Sequence, residues 1–352
     1  MNKLLLAVVM LMSCFIINLH AGLVEVDVTD SPYFADLTGA DDSADSIQLA
    51  LDNAISNNKP VHFPAGNYIV SKALVIPSTN SYLFYRHLNI YGDGTGLTEI
   101  AQITANKNLF EIGDMSGFTN SWTIKDMTVG TVEGSGSAFF MIYCDRGIME
   151  NVHIPAAGNC GIVLVGSLMN TFKNVFVSIN LLDHPVAGIG NGIFDNGITL
   201  NGDCNANIFI GGGVEGGSSN QVVVDATSIG NTFTGCVFES NSAGSGILFS
   251  NGGYNTVIGC WFENNPQYAI YSYGGVGNRI IGCFIGAGTV YVESTIGFFM
   301  HGTMFKTLRL LATVQADIRG CTMNNAGGSV ANYGQRTRLE NIITNTGVQV
   351  YP

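Results

Sequence analysis

From Asn207 onward one alternation of apolar and polar positions is written four times: NIFIGGGVEGG, NTFTGCVFESN, NTVIGCWFENN and NRIIGCFIGAG, starting at Asn207, Asn231, Asn255 and Asn278. The starts are 24, 24 and 23 residues apart. In each copy apolar and polar side chains alternate, a glycine interrupts, and the alternation resumes with the opposite parity. Period two marks strands, and no helical period runs through the unit. A recurrence of this length marks a repeat architecture, and a unit of about 24 residues holds roughly three short strands with their turns, one coil of a parallel β-helix. Coils stack about 4.8 Å apart, so equivalent positions form columns along the axis. The expected fold is all-β, a right-handed parallel β-helix of about ten or eleven rungs. Less regular rungs are read at 122–130, 147–155, 170–178, 317–325 and 338–347, and the stretch 179–198 is too long for a tight turn and reads as a loop walling a groove.

A helical stripe stands out near the start, with Ile47, Leu51 and Ile55 beside Ala44, Ala50 and Ala54, preceded by the cap-prone Asp41, Asp42 and Ser43. It predicts one helix over 43–57, followed by strands at 61–63 and 68–71. Such a helix covers the open end of a solenoid, where apolar side chains and unpaired backbone groups would otherwise meet water. This stretch also resembles a known family. GADDSADSIQLALDNA, VHFPAGNYIVSKALVIPS and IYGDGTG at 90–96 are similar to the N-terminal signature of the pectate lyase superfamily, the single-stranded right-handed β-helices that include hydrolases, lyases, epimerases and phage tailspikes. The resemblance implies the fold and polysaccharide as the partner. It implies no particular reaction, because Asp41-Asp42 lies only in the cap, Met300-His301-Gly302 stands where hydrolases of the family carry Gly-His-Gly, and the signatures of pectate lyases and alginate epimerases are absent.

Residues 1–21 carry Lys3, an apolar run from Leu4 to Ile17 and a small residue at the end, the pattern of a signal peptide; residues 22–352 then form one domain, its cap at about 22–60. The expected location is secreted, periplasmic or at the cell surface. The box Leu-Met-Ser-Cys at 11–14 offers lipidation at Cys14 as an alternative, against which the apolar run continuing through Phe15–Leu19 argues. No second apolar stretch is long enough for a membrane span. A formal charge of −12 with only 14 Lys and Arg argues against nucleic acid. Cys236, Cys260 and Cys283 share one rung position and read as a column of buried, inert thiols.

Parity through the glycine bend turns Phe233, Cys236 and Phe238 inward and Val237 and Glu239 outward. Glu215, Glu239 and Glu263 therefore stand outward on adjacent rungs, where like charges repel by roughly 1 kcal/mol in water. The crowding is expected to raise the pKa of Glu239 and fit it as a general acid. Carboxyl pairs about 5–5.5 Å apart suit retaining glycoside hydrolysis and wider pairs inversion. Calcium is the one cation such oxygen ligands could hold, and no other metal or cofactor is expected. The bland alternative has each glutamate taking backbone amide bonds at the turns beside Asn241 and Asn265, splayed into solvent. Trp261, Tyr268, Tyr271 and Tyr273 are candidate sugar-stacking residues, with alternate tyrosines such as Tyr271 open to a core-filling role. Asp183 and His184 form a second candidate acid–base pair. The expected function is cleavage of a polysaccharide by hydrolysis or elimination; the rival is a non-catalytic glycan-binding or surface protein of the same fold.

Overall fold

A computed structural model of the chain describes residues 25–78, 88–132, 134, 136–178, 196–324, 329–344 and 347–349. The signal-peptide reading, Cys14, Asp183, His184 and most of the loop at 179–198 lie outside the described residues. No helix among them is long and apolar enough to cross a membrane.

The helix, α1, spans Ala44–Asn57 and buries Ala44, Ile47, Ala50, Leu51 and Ala54. Of the cap-prone residues it is Asp42 whose carboxylate accepts the Ala44 amide (3.1 Å), while the Ser43 hydroxyl accepts the amide of Asp36 (2.8 Å). Asn58 ends the helix in the left-handed region (φ 53°), and the Lys59 amide closes the last turn on the Ala54 carbonyl (2.9 Å).

From Ile208 to Gln335 each rung is built from three strands, as the repeat length predicts, while in the rungs at Thr123–Thr131, Ile148–Ile154 and Thr171–Ser178 the first two run on as one strand. In the rung of Asn231 they are Thr232–Thr234, Val237–Glu239 and Ser245–Ser250. First and second strands of successive rungs join one 24-stranded sheet, third strands an 11-stranded sheet, and apart from the final hairpin the pairings are parallel. The bend between first and second strands has a positive φ in every copy of the repeat, 62° at Gly235. That bend shifts the side-chain parity, so Phe233, Cys236 and Phe238 are all buried. Inside, aromatic rings stack along the axis: Phe172 on Phe209 (4.6 Å) and Phe209 on Phe233 (4.8 Å). At the far end Ile342–Thr344 and Gly347–Gln349 form an antiparallel hairpin. The hairpin covers an edge that would otherwise accept another chain.

The asparagine that opens each repeat faces inward and is fully buried, as Asn170, Asn207, Asn231, Asn255 and Asn278. Each side-chain carbonyl from Asn207 on accepts both the backbone amide and the Nδ2 of the preceding asparagine; at Asn231 these distances are 3.0 and 3.1 Å. Each Nδ2 also donates to a main-chain carbonyl, in Asn231 that of Cys204 at 2.8 Å. A second column holds the thiols: the Cys236 amide donates to the Cys260 sulfur (3.4 Å), the Cys283 amide to the Thr303 hydroxyl (3.4 Å), and Cys321 follows one rung later. All seven described cysteines are buried. The bond to Cys236, with burial behind it, pushes the Cys260 thiol up to about 12, and burial pushes Cys204 up to about 11.

Asn231→Ala removes four hydrogen bonds and strands the Asn207 amide and the Cys204 carbonyl in the core, where each unpaired group costs about 1–3 kcal/mol. The guanidinium unfolding midpoint is expected to fall by an amount equal to about 3 kcal/mol or more, whereas Asn264→Gly, at an exposed position whose φ of 51° glycine adopts freely, changes it little; equal midpoints for Asn231→Ala and wild type would remove the ladder's structural role. Raised pKa values keep thiols out of the reactive thiolate form. An aromatic disulfide reagent at pH 8 should therefore modify none of the seven thiols in the native protein and all of them after denaturation.

Candidate functional site

Glu215, Glu239 and Glu263 pair in register on consecutive second strands. All three side chains point outward; Glu215 and Glu263 are exposed and Glu239 half-buried. Their backbones are one interstrand spacing apart, about 4.8 Å. The neighbours that soften this crowding are side chains, not the turn amides expected of the bland reading. The Trp261 indole N–H donates to the Glu263 carboxylate (2.9 Å), and Asn264 reaches the Glu239 carboxylate at 3.5 Å. Asn241 and Asn265 are buried instead, holding the carbonyls of Ser245 and Phe238. One rung before Glu215 the column continues as Ser178.

Beside the carboxylates runs a second outward column, His153, Phe176, Gly213, Val237, Trp261 and Phe284. Trp261 is 42% exposed and stacks on Phe284 at 4.0 Å. The tyrosines are elsewhere. Tyr268, Tyr271 and Tyr273 lie on a third strand, in the other sheet and beyond the turn at 264–267, so the chain does not bring them onto the glutamate face. Tyr271 is not core filling: Ala269, Ile270 and Ser272 take the inward positions, and Tyr271 stands outward against Tyr268 (5.1 Å) and Tyr291 (5.2 Å). Its hydroxyl donates to Glu293 (2.8 Å), and burial together with that carboxylate raises its pKa. Among the described residues no group of three or more His, Cys, Asp or Glu side chains converges as a metal site requires.

Sequence reading missed a cluster on the rungs just before Glu215. Asp126, Asn151, His153, Asn174 and Phe176, with Gly94 and Thr95, line a cleft of about 500 Å³. The His153 Nε2 and the Ser178 hydroxyl are 2.9 Å apart, so this cleft adjoins the column that leads to Glu215. The signal was present: aligning IKDMTV, MENVHI and FKNVFV puts Asp126, Asn151 and Asn174 at one position and Thr128, His153 and Phe176 at another. Without a glycine at the bend, these rungs did not match the repeat found farther on.

A search of curated proteins returned no match. Among solved structures the chain is similar to ORF18 of Geobacillus virus E2, at 18% identity and a TM-score of 0.63 over 98% of this chain and 63% of that one. It is also similar to the catalytic domain of a GH87 α-1,3-glucanase in complex with nigerose, at 14% identity and a TM-score of 0.62 over 85% of this chain and 62% of that one. The Streptococcus pneumoniae surface protein and adhesin PfbA shares 12% identity and a TM-score of 0.55 over 91% of this chain and 92% of that one. The chain thus spans less than two thirds of the first two. At such identities the likeness is one of fold. The family profile described as "Right handed beta helix region" matches residues 88–285. That is more than half of the chain, and with the parallel three-strand rungs it establishes that this protein belongs to the right-handed β-helix family.

Proposed function

We propose that this chain is an exported enzyme, with residues 1–21 as its leader, that cleaves a polysaccharide held along the outward face of the second strands. The observation that carries the reading is the in-register column Glu215–Glu239–Glu263 beside the exposed Trp261. Stacking carboxylates one rung apart costs repulsion, and carboxyl pairs near that spacing are what retaining glycoside hydrolysis uses. Glu263 is tied to Trp261, which leaves Glu239 and Glu215 as the working pair. Glu239 gives its proton to the glycosidic oxygen as the bond to the anomeric carbon breaks, and Glu215 stabilises or captures that carbon before water replaces it. Trp261 offers an apolar face to a sugar ring.

A second reading, glycan binding without cleavage, draws support from the donors on Glu239 and Glu263, which suit charges fixed for recognition, and from the adhesin among the proteins of similar fold.

Product release on a panel of neutral and acidic polysaccharides decides between them, with reducing ends and unsaturated-uronate absorbance read together. Wild type is expected to release reducing ends, and Glu239→Gln to lose roughly 100-fold or more in kcat with little change in KM. Absorbance would make it a lyase, a mutant equal to wild type would sink the glutamate assignment, and binding without product would establish the second reading. The chain has two tryptophans, Trp122 at 1% exposure and Trp261 at 42%. Acrylamide should therefore quench one of two emitting populations, and a bound polysaccharide should protect it; quenching unaffected by any bound polysaccharide would remove Trp261 from the site.

A further inference from the structure

On the rungs before the glutamates, the bend between first and second strands is made by Asp126, Asn151 and Asn174, at φ 57°, 53° and 51°. Their side chains bond in series: Asn151 Nδ2 donates to Asp126 Oδ1 (2.9 Å) and Asn174 Nδ2 to Asn151 Oδ1 (3.2 Å). The series stops at Gly211, which holds the same bend position one rung on. One wall of the cleft is the turn at Gly94–Gly96, tied down by the Gly94 amide on the Asp126 carbonyl (3.0 Å) and the Gly96 amide on the Thr128 hydroxyl (3.0 Å). The opposite wall is His153 and Phe176, a ring left 40% exposed. The cleft is open to solvent, and its volume of about 500 Å³ lies within the usual range for small-ligand sites.

The lining selects a class of ligand. A carboxylate, two carboxamides and an imidazole offer both donors and acceptors, and Phe176 offers one flat apolar face. Asp126 already has Lys125 at 3.7 Å, so the cleft has no unbalanced charge with which to hold an ion. An uncharged ring with one apolar face and a rim of hydroxyls that both donate and accept matches such a lining. We infer that the cleft binds a single neutral sugar unit and seats the end of the glycan that the glutamates cleave, the second part resting on the cleavage reading above. Phe176 lies one rung before Glu215, and Ser178, bonded to His153, is the register partner of Glu215, so a unit seated on Phe176 extends toward the carboxylates.

The test titrates glucose, galactose, mannose and N-acetylglucosamine separately into the mature protein, with binding followed by saturation-transfer NMR. Phe176→Ala and Asn174→Gly are the site variants. Glycine fits the bend of Asn174, because Gly211, Gly235 and Gly259 occupy it in later rungs. Wild type and Glu239→Gln are expected to bind at least one of the four sugars equally, and each site variant to weaken that binding by roughly tenfold. The inference is overturned if none of the four binds wild type, or if both site variants bind as wild type does. Cleavage of polysaccharide without any such binding would leave the glutamate reading standing and remove the cleft. Binding in the cleft by a protein that cleaves nothing would keep the cleft and remove the cleavage reading.

Discussion

The middle rungs of this solenoid depend on one buried hydrogen bond made again and again, asparagine amide to asparagine carbonyl from Asn170 to Asn278. A side-chain amide in an apolar core is costly unless all its groups are paired. Here each interior carbonyl takes two N–H groups, and each Nδ2 finds a main-chain carbonyl that a turn would otherwise strand. A rung slipped by one residue would leave such groups unpaired in the core, so the column fixes register as well as stability. It holds across an irregular rung too: Asn170 and Asn207 are 37 residues apart, yet they bond as the copies 24 apart do.

Fixed register turns a repeated residue into an aligned set of side chains. Pairing that puts Asn231 on Asn255 also puts Glu239 on Glu263. The chain then carries carboxylates at the closest spacing a sheet allows, and it supplies Trp261 and Asn264 to meet part of their charge. The exposed apolar edge of Trp261 and Phe284 lies in the adjoining column, so charge and flat apolar surface sit side by side, a pairing suited to sugar rings.

The bend gives the surface its polarity along the axis. The rungs from Gly211 to Gly320 make it with glycine and leave bare backbone, while earlier ones make it with Asp126, Asn151 and Asn174, whose side chains wall a cleft. Both solve the same backbone problem, because a positive φ is open to glycine and tolerated by asparagine and aspartate. Only the second solution adds chemistry.

Much of this was legible in the sequence. The repeat length dictated three strands per rung, the glycine bend dictated which residues turn in, and the stripe from Ala44 to Ile55 dictated α1, because each is a local pattern set by backbone geometry. The outward column of Glu215, Glu239 and Glu263 followed from the same parity. What the sequence could not carry was which columns share a surface. Trp261 and Tyr268 are seven residues apart and lie on different sheets, Tyr271 stands outward where alternation alone left a core role open, and Asp126, His153 and Ser178 meet only because rungs of unequal length stack in register. The sequence by itself determined the rung and its inside and outside; the tertiary structure decided the neighbours, because proximity in a solenoid is set by stacking across rungs and not by distance along the chain.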